Sequence, residues 1–209
     1  VEPPLVLLQW QDMRVSLWES HYKRLVAAYE RGGHPRGLTM ARIFSMVVRY
    51  ETLTEVKSAY QAALPASVME VLAEDFGCDF ECFASPLNCY FEQYCSLFHD
   101  TDHYFGSEGS FFRFRPVTGS FECNPPFDQQ SIVATYKHIC ELLLASELPL
   151  SFFVCIPKVD IGHNLKALID TEEVLGMLTG TSRLLRHRVV IPRHHHAYLM
   201  GLQHRKTGE

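Results

Sequence analysis

Gly119-Ser-Phe-Glu-Cys-Asn-Pro-Pro-Phe127, followed by Asp128 and a run in which Ile132, Val133, Tyr136, Ile139, Cys140 and Leu143 recur at helical spacing, decides the fold of this chain. Gly119 to Cys123 reads as a short strand, Asp128 as a helix cap, and the periodic residues as the buried face of an amphipathic helix. Leu150 to Ile156 is then a continuous apolar run, rich in aromatic and branched residues and closed by Pro157. Such a run reads as a strand of a buried parallel sheet. Strand, tetrapeptide, helix and strand make a βαβ unit, so the expected fold class is α/β.

The tetrapeptide Asn124-Pro125-Pro126-Phe127 lies at the carboxyl end of its strand, and its residue types suit methylation of a planar nitrogen, adenine being the first substrate to consider. An exocyclic amine delocalises its lone pair into the ring and is a poor nucleophile until its two N–H groups are held. The side-chain carbonyl of Asn124 and the backbone carbonyl of Pro125 can hold them, because a Pro-Pro step is stiff and keeps its carbonyls in fixed directions. Phe127 can stack on the base. Attack on a sulfonium methyl needs in-line placement more than a general base, so positioning is the main catalytic term. An ordinary turn uses the same residues, since Asn and Pro both favour turns. The strand before the motif and the helix after it weigh against that plainer reading.

A second constellation stands upstream at Phe80-Glu-Cys-Phe-Ala-Ser-Pro-Leu-Asn-Cys-Tyr-Phe91. Apolar residues up to Ala84, a Ser-Pro turn and a helical stretch from Leu87 to Leu97 predict another strand-to-helix junction, where open α/β sheets place cofactors. No glycine-rich loop accompanies it. Pro86 also suits a first helical turn without any function.

These blocks carry a resemblance. Gln61-Ala-Ala-Leu-Pro65, Phe80 to Asn88, Tyr94-Cys95, Asp100-Thr-Asp102, Tyr104-Phe-Gly-Ser107, Gly119-Ser-Phe-Glu122 and Asn124 to Phe127 together resemble the catalytic domain of the phosphorylated-CTD-interacting-factor family, from about Met40 to His204. The family consists of cap-specific adenosine methyltransferases. The resemblance implies a Rossmann-like class I S-adenosylmethionine-dependent methyltransferase sheet that acts on the exocyclic amine of an adenosine beside an mRNA cap. It further implies that Asn124, Pro125, Pro126 and Phe127 are catalytic, and that Ala84, Ser85, Pro86, Leu87 and Asn88 face the donor. An acid beyond the first helix commonly accepts from the donor's ribose, which makes Asp102 the first candidate there and Asp100 the second. On the substrate side the matching positions are Gln129, His196 and Tyr198.

The chain also departs from the family pattern. It has Asp128-Gln129-Gln130 where acids follow the tetrapeptide, Lys158-Val159 where an acidic-aromatic pair follows Pro157, and His194-His-His-Ala-Tyr-Leu199 with fewer neighbouring charges. Donor and catalytic blocks are kept while substrate-facing positions drift. The sequence begins too late for the upstream helical domain that supplies the family's cap pocket, and ends at Glu209 before the family's final strand. The expectation is therefore a sheet lacking that strand, with an open edge that invites a protein partner to complete it or to supply the cap pocket. An alternative reading follows, in which the chain is a catalytically degenerate methyltransferase fold serving as a structural or binding subunit of an RNA-containing assembly. Similar tetrapeptides also serve adenine in DNA and glutamine in proteins.

Length and composition fit one α/β unit: 209 residues, 47% hydrophobic and 21% charged. Residues 77–209 read as the catalytic core and residues 1–76 as a helical N-terminal extension that packs on it. In that extension, apolar spacing predicts helices from Met13 to Tyr29, from about Thr39 to Tyr50, and from Pro65 onward through Val68, Val71 and Leu72. No run approaches the roughly twenty apolar residues of a membrane span, and Val1-Glu-Pro-Pro lacks the features of a signal peptide. A net charge of -5 argues against gripping long RNA with the whole surface. Arg183, Arg186, Arg188, Arg193, Arg205 and Lys206 nonetheless form a local basic stretch suited to a short single-stranded, capped 5′ end. Seven cysteines without a close C-x-x-C pair fit small buried hydrophobes in a reducing compartment, the nucleus by resemblance, and no metal is expected. His194-His195-His196 cannot all turn to one ion, because successive residues of an extended chain face opposite ways.

Overall fold

The computed structural model describes residues 4–56, 62–158, 168–169, 171–192 and 194–199. The chain opens with an antiparallel hairpin of β1 (Leu5–Trp10) and β2 (Met13–Trp18), then α1 (Glu19–Arg31), α2 (Thr39–Val56) and α3 (Ala66–Phe76). The sheet strands are β3 (Cys78–Glu81), β4 (Gln93–Tyr94), β5 (Gly119–Cys123) and β6 (Leu150–Val154), with the short α4 (His99–Asp102) after β4 and α5 (Gln129–Ala145) between β5 and β6. A last helix, α6 (Glu172–Thr179), packs against α5. The four sheet strands run in the order β4-β3-β5-β6, and every neighbouring pair is parallel.

Alternation along the strands sorts the sheet into two faces. Phe121 and Cys123 of β5, with Phe80 of β3, pack on Ile132, Tyr136, Ile139 and Cys140 of α5, and Phe152 of β6 joins them as a partly buried neighbour. The opposite face of β5 carries Ser120 and Glu122, and there α3 packs Met69 and Leu72 against Cys78 and Phe153. A register shift between Cys78 and Phe80 lets β3 give a residue to each layer. The hairpin, α1 and α2 have a core of their own, built from Val15, Leu17, Leu25, Tyr29, Ile43 and Met46, and it takes in Leu87 and Phe105 from the sheet's loops.

The βαβ unit forms as its residues predict. Asp128 caps α5, its carboxylate accepting from the Ser131 amide at 2.9 Å. Asp128→Ala is expected to cost about 1 kcal/mol of stability, read from denaturant midpoints; an unchanged midpoint would remove that role from Asp128.

Two expected helices are not helices as drawn. Met13 to Trp18 is β2, because Val15 and Leu17 alternate inward and pair with Leu8 and Val6 across the hairpin, so the extension is a hairpin followed by helices rather than helical throughout. Leu87 to Leu97 is a turn and then β4. The Asn88 side-chain oxygen accepts from the Ser85 amide and hydroxyl at 2.7 and 2.8 Å, which offers the backbone a competing arrangement. The Glu81 carboxylate takes the amides of Tyr90 and Phe91 at 2.7 and 2.8 Å, so those donors are lost to a helix. The second helix ends later than expected, at Val56, and the third starts at Ala66, directly after Pro65. Among the described residues, no helix is long and apolar enough to cross a membrane, and no group of three or more His, Cys, Asp or Glu could hold a metal ion.

Candidate functional site

From β3 the chain steps outward to β4, then returns past β3 to lay down β5 and β6 on the other side. The order reverses between β3 and β5, and ligands of open α/β sheets bind at such a switch point, beyond the carboxyl ends of the strands. A cleft of about 290 Å³, counted to its open mouth, lies there. Its lining includes Glu81 and Phe83 from the end of β3, Asn88 and Tyr90 from the following turn, Glu122 and Asn124 from β5, and Ala62 to Leu64 before α3.

Asn124 is half-buried, and its side-chain amide donates to the Ala62 carbonyl at 3.2 Å. That contact aims the side chain, and the Oδ1 atom is buried with no hydrogen-bond partner among the described residues. Pro125 is buried behind it, whereas Phe127 keeps 39% of its surface exposed and meets Tyr198 edge to face with ring centroids 5.4 Å apart. Tyr198 arrives on a segment fastened to Ala63 by two backbone hydrogen bonds to Leu199, at 3.1 and 2.8 Å. Burial, then the nearby Cys155 and Glu122, push its phenol up to about 12. Two of the three substrate-side candidates therefore gather near the tetrapeptide, Tyr198 on Phe127 and His196 with its ring 6.3 Å from that of Tyr198. Gln129 is exposed on the first turn of α5. Lys158 is exposed as well; Val159, Gly201, Gln203 and His204 lie outside the described residues.

The donor-side segment is a tight, internally bonded turn. Ser85 is fully buried, the carbonyl of Ser85 accepts from Asn88 and Cys89 amides at 3.2 and 2.9 Å, and the Ala84 amide donates to Cys95. Leu87 is anchored in the N-terminal core. Arg24 of α1 reaches over the turn and donates to the Pro86 and Cys89 carbonyls at 3.2 and 2.9 Å. The extension thus braces the turn, a role that the apolar spacing of α1 did not reveal.

Neither acid proposed for a ribose reaches the cleft. Asp102 follows β4, but it is fully buried against the N-terminal layer and accepts from the Tyr50 hydroxyl at 2.5 Å and the Thr101 hydroxyl at 2.9 Å. Desolvation raises its carboxyl above the usual range, with the Tyr50 hydroxyl pulling the other way. Asp100 sits on the surface with Arg49, which holds its carboxyl low. In this structure both are structural acceptors.

The acids that do enter the cleft are Glu81 and Glu122, register partners on the adjacent strands β3 and β5. Their signal in the sequence was an acid inside each of two otherwise apolar stretches, Phe80-Glu-Cys and Phe121-Glu-Cys, a placement that is costly unless the charge has a task. Burial pushes the Glu81 carboxyl up to about 7 against the pull of its two amide donors. The Glu122 carboxyl is also pushed well up, by burial and then by the charge of Glu81.

The fold and site together define a parallel α/β protein of Rossmann-like arrangement, whose switch-point cleft is lined with hydrogen-bond acceptors. The family described as "Phosphorylated CTD interacting factor 1 WW domain" matches residues 28–201, and the chain belongs to that family. Despite the description, the matched residues hold the parallel sheet. Two curated relatives, both named mRNA (2'-O-methyladenosine-N(6)-)-methyltransferase, are similar to it. The mouse protein is 38% identical over 98% of this chain and 29% of its own length; the human protein is 43% identical over 79% of this chain and 23% of its own length. The chain therefore spans less than a third of the curated relatives it matches.

Proposed function

We propose that this chain is the amine-holding part of an S-adenosylmethionine-dependent RNA methyltransferase acting on N6 of adenosine near an mRNA cap, with a class I methyltransferase sheet. The observation that carries this reading is the buried, unpartnered Oδ1 of Asn124 at the switch-point cleft. It supports the reading together with the names of the mouse and human relatives.

A methyl donor fits the residues present, because the cleft's acceptors suit a ligand that brings N–H groups and positive charge. When bound, S-adenosylmethionine supplies an electrophilic methyl group on its sulfonium. The chain's own part is to place the nucleophile. Asn124 Oδ1 accepts one N6 proton, the Pro125 carbonyl takes the other, and the exposed ring of Phe127, steadied by Tyr198, stacks on the base. An adenine so held must be unstacked, which is easiest in a single strand. The turn from Ala84 to Asn88, buried and braced by Arg24, forms the donor's wall.

One observation favours a non-catalytic binding subunit instead: Asp100 and Asp102 are both engaged away from the cleft. A single experiment separates the two. The purified chain is titrated with S-adenosylhomocysteine, then incubated with labelled S-adenosylmethionine and capped or uncapped adenosine oligonucleotides. Binding and label in N6-methyladenosine are expected. Binding without transfer would favour the subunit reading, and a folded chain that binds no donor product would overturn the donor site itself.

A further inference from the structure

Glu122 of β5 and Asn124, one residue past the end of that strand, both line the cleft, with Glu81 alongside Glu122 on β3. The two carboxyls are differently served. Glu81 has the amides of Tyr90 and Phe91, whereas Glu122, 2% exposed, keeps a buried Oε1 with no hydrogen-bond partner among the described residues. A second atom of the same cleft, Oδ1 of Asn124, is likewise buried and unpartnered. Two orphan acceptors converging beside a carboxylate are costly unless a ligand supplies the donors. Among the described residues, no basic side chain lines the cleft. Arg24, whose charge is felt at Glu81, is turned to the Pro86 and Cys89 carbonyls.

We propose that Glu122 is the counter-ion for the positively charged group of the ligand in this cleft, and that it releases its proton when that group enters. The ligand group is an ammonium or a sulfonium, both of which the proposed methyl donor carries, so the inference rests on the donor-site reading above. Glu81 is the positioning partner: held by two amides it ionises first, and its charge keeps Glu122 protonated until a cation arrives.

Among the described residues, the thiols and the Tyr198 phenol around the pair stay neutral near neutral pH. Burial pushes the thiols of Cys78, Cys89 and Cys155 up to about 11, 12 and 12, raises those of Cys82 and Cys123, and lifts the Tyr198 phenol to about 12. Asp79, next to Phe80 on β3, is exposed to solvent. Proton release on binding therefore reports the two carboxyls.

The test is calorimetric titration of the whole chain with three probes: S-adenosylmethionine, S-adenosylhomocysteine, which lacks the sulfonium charge, and 5′-deoxy-5′-methylthioadenosine, which carries neither charge. Each is run at about pH 5.5 and about pH 6.5, at least a unit below the range near about 7.7–8.0 where an α-amino group loses its own proton, in two buffers of different ionisation enthalpy. The charged probes are expected to bind more tightly at the higher pH and to release protons. Glu122→Gln should weaken them about tenfold and abolish the release, while the neutral probe is indifferent. Linkage with both charged probes identifies the ammonium; linkage with S-adenosylmethionine alone identifies the sulfonium. Unchanged affinity and proton release in Glu122→Gln, or the same response from the neutral probe, would overturn the proposal. Failure of the wild-type chain to bind any probe would instead overturn the donor site. If Glu122→Gln does not fold, Glu81→Gln decides: removing the neighbouring charge must shift the affinity rise to lower pH, and an unmoved rise sinks the idea.

Discussion

Asn124→Ala is expected to lower methyl transfer by about a hundredfold to a thousandfold, while S-adenosylhomocysteine binds within about threefold of the wild type, a difference under about 1 kcal/mol. The reason is geometric. The Asn124 side chain is aimed by its bond to the Ala62 carbonyl, and its free oxygen is the acceptor that distinguishes a held amine from a merely bound adenine. Removing it should spare the donor turn, which is closed by its own Ser85–Asn88 bonds and by Arg24. The measurement is single-turnover transfer beside calorimetry on the same preparation, with circular dichroism to show that the variant is folded. Retained turnover would remove Asn124 from the reaction, and equal loss of turnover and donor binding would make it a structural residue.

The second large effect is on stability and follows from Glu81. Its carboxyl titrates near 7 in the folded chain against an ordinary value of 4.5, with burial as the first cause. Between those values the folded state binds more protons than the unfolded state, so stability must fall as pH rises. The contribution is fully present below about pH 4.5 and lost as pH passes about 7; the shift corresponds to about 3 kcal/mol for this one group. Glu122, also raised by burial, adds to the decline. Denaturant midpoints of the wild type and Glu81→Gln at about pH 5 and about pH 8 isolate the effect. The wild type should lose about 2–3 kcal/mol more stability than the variant over that interval; parallel profiles would contradict the assignment. A ligand that brings a cation into the cleft should reverse part of the loss, because binding to the folded state alone stabilises it.

The position of the tetrapeptide in the fold was legible because local signals and tertiary structure agreed. Asn124 to Phe127 sits between β5 and α5 as the strand, cap and apolar period require, and Ser85 to Asn88 does form a turn after β3. The errors share a cause. Leu87 to Leu97 and Met13 to Trp18 have apolar spacings that suit either helix or strand over a short window. Tertiary partners decided them: Glu81 capturing the amides of Tyr90 and Phe91 in one case, β1 pairing with β2 in the other. Asp102 shows the same dependence on distant partners: it follows β4, and its direction is set by Tyr50, an α2 residue far away in sequence.

The sequence by itself determined the parallel βαβ unit, the capped start of α5, the tetrapeptide at a strand end and, through ordered blocks of matching residues, the family. These are properties of neighbours along the chain, where spacing and residue type suffice. Only the tertiary structure decided that Glu81 and Glu122 meet on one face of the sheet, that Asn124 keeps an acceptor unfilled among the described residues, that Arg24 braces the turn after β3 and that Asp102 turns to Tyr50. Each of those depends on strand register or on a contact between residues roughly forty to sixty positions apart, and register is set by which faces are buried against other layers, a choice made by the packed molecule as a whole.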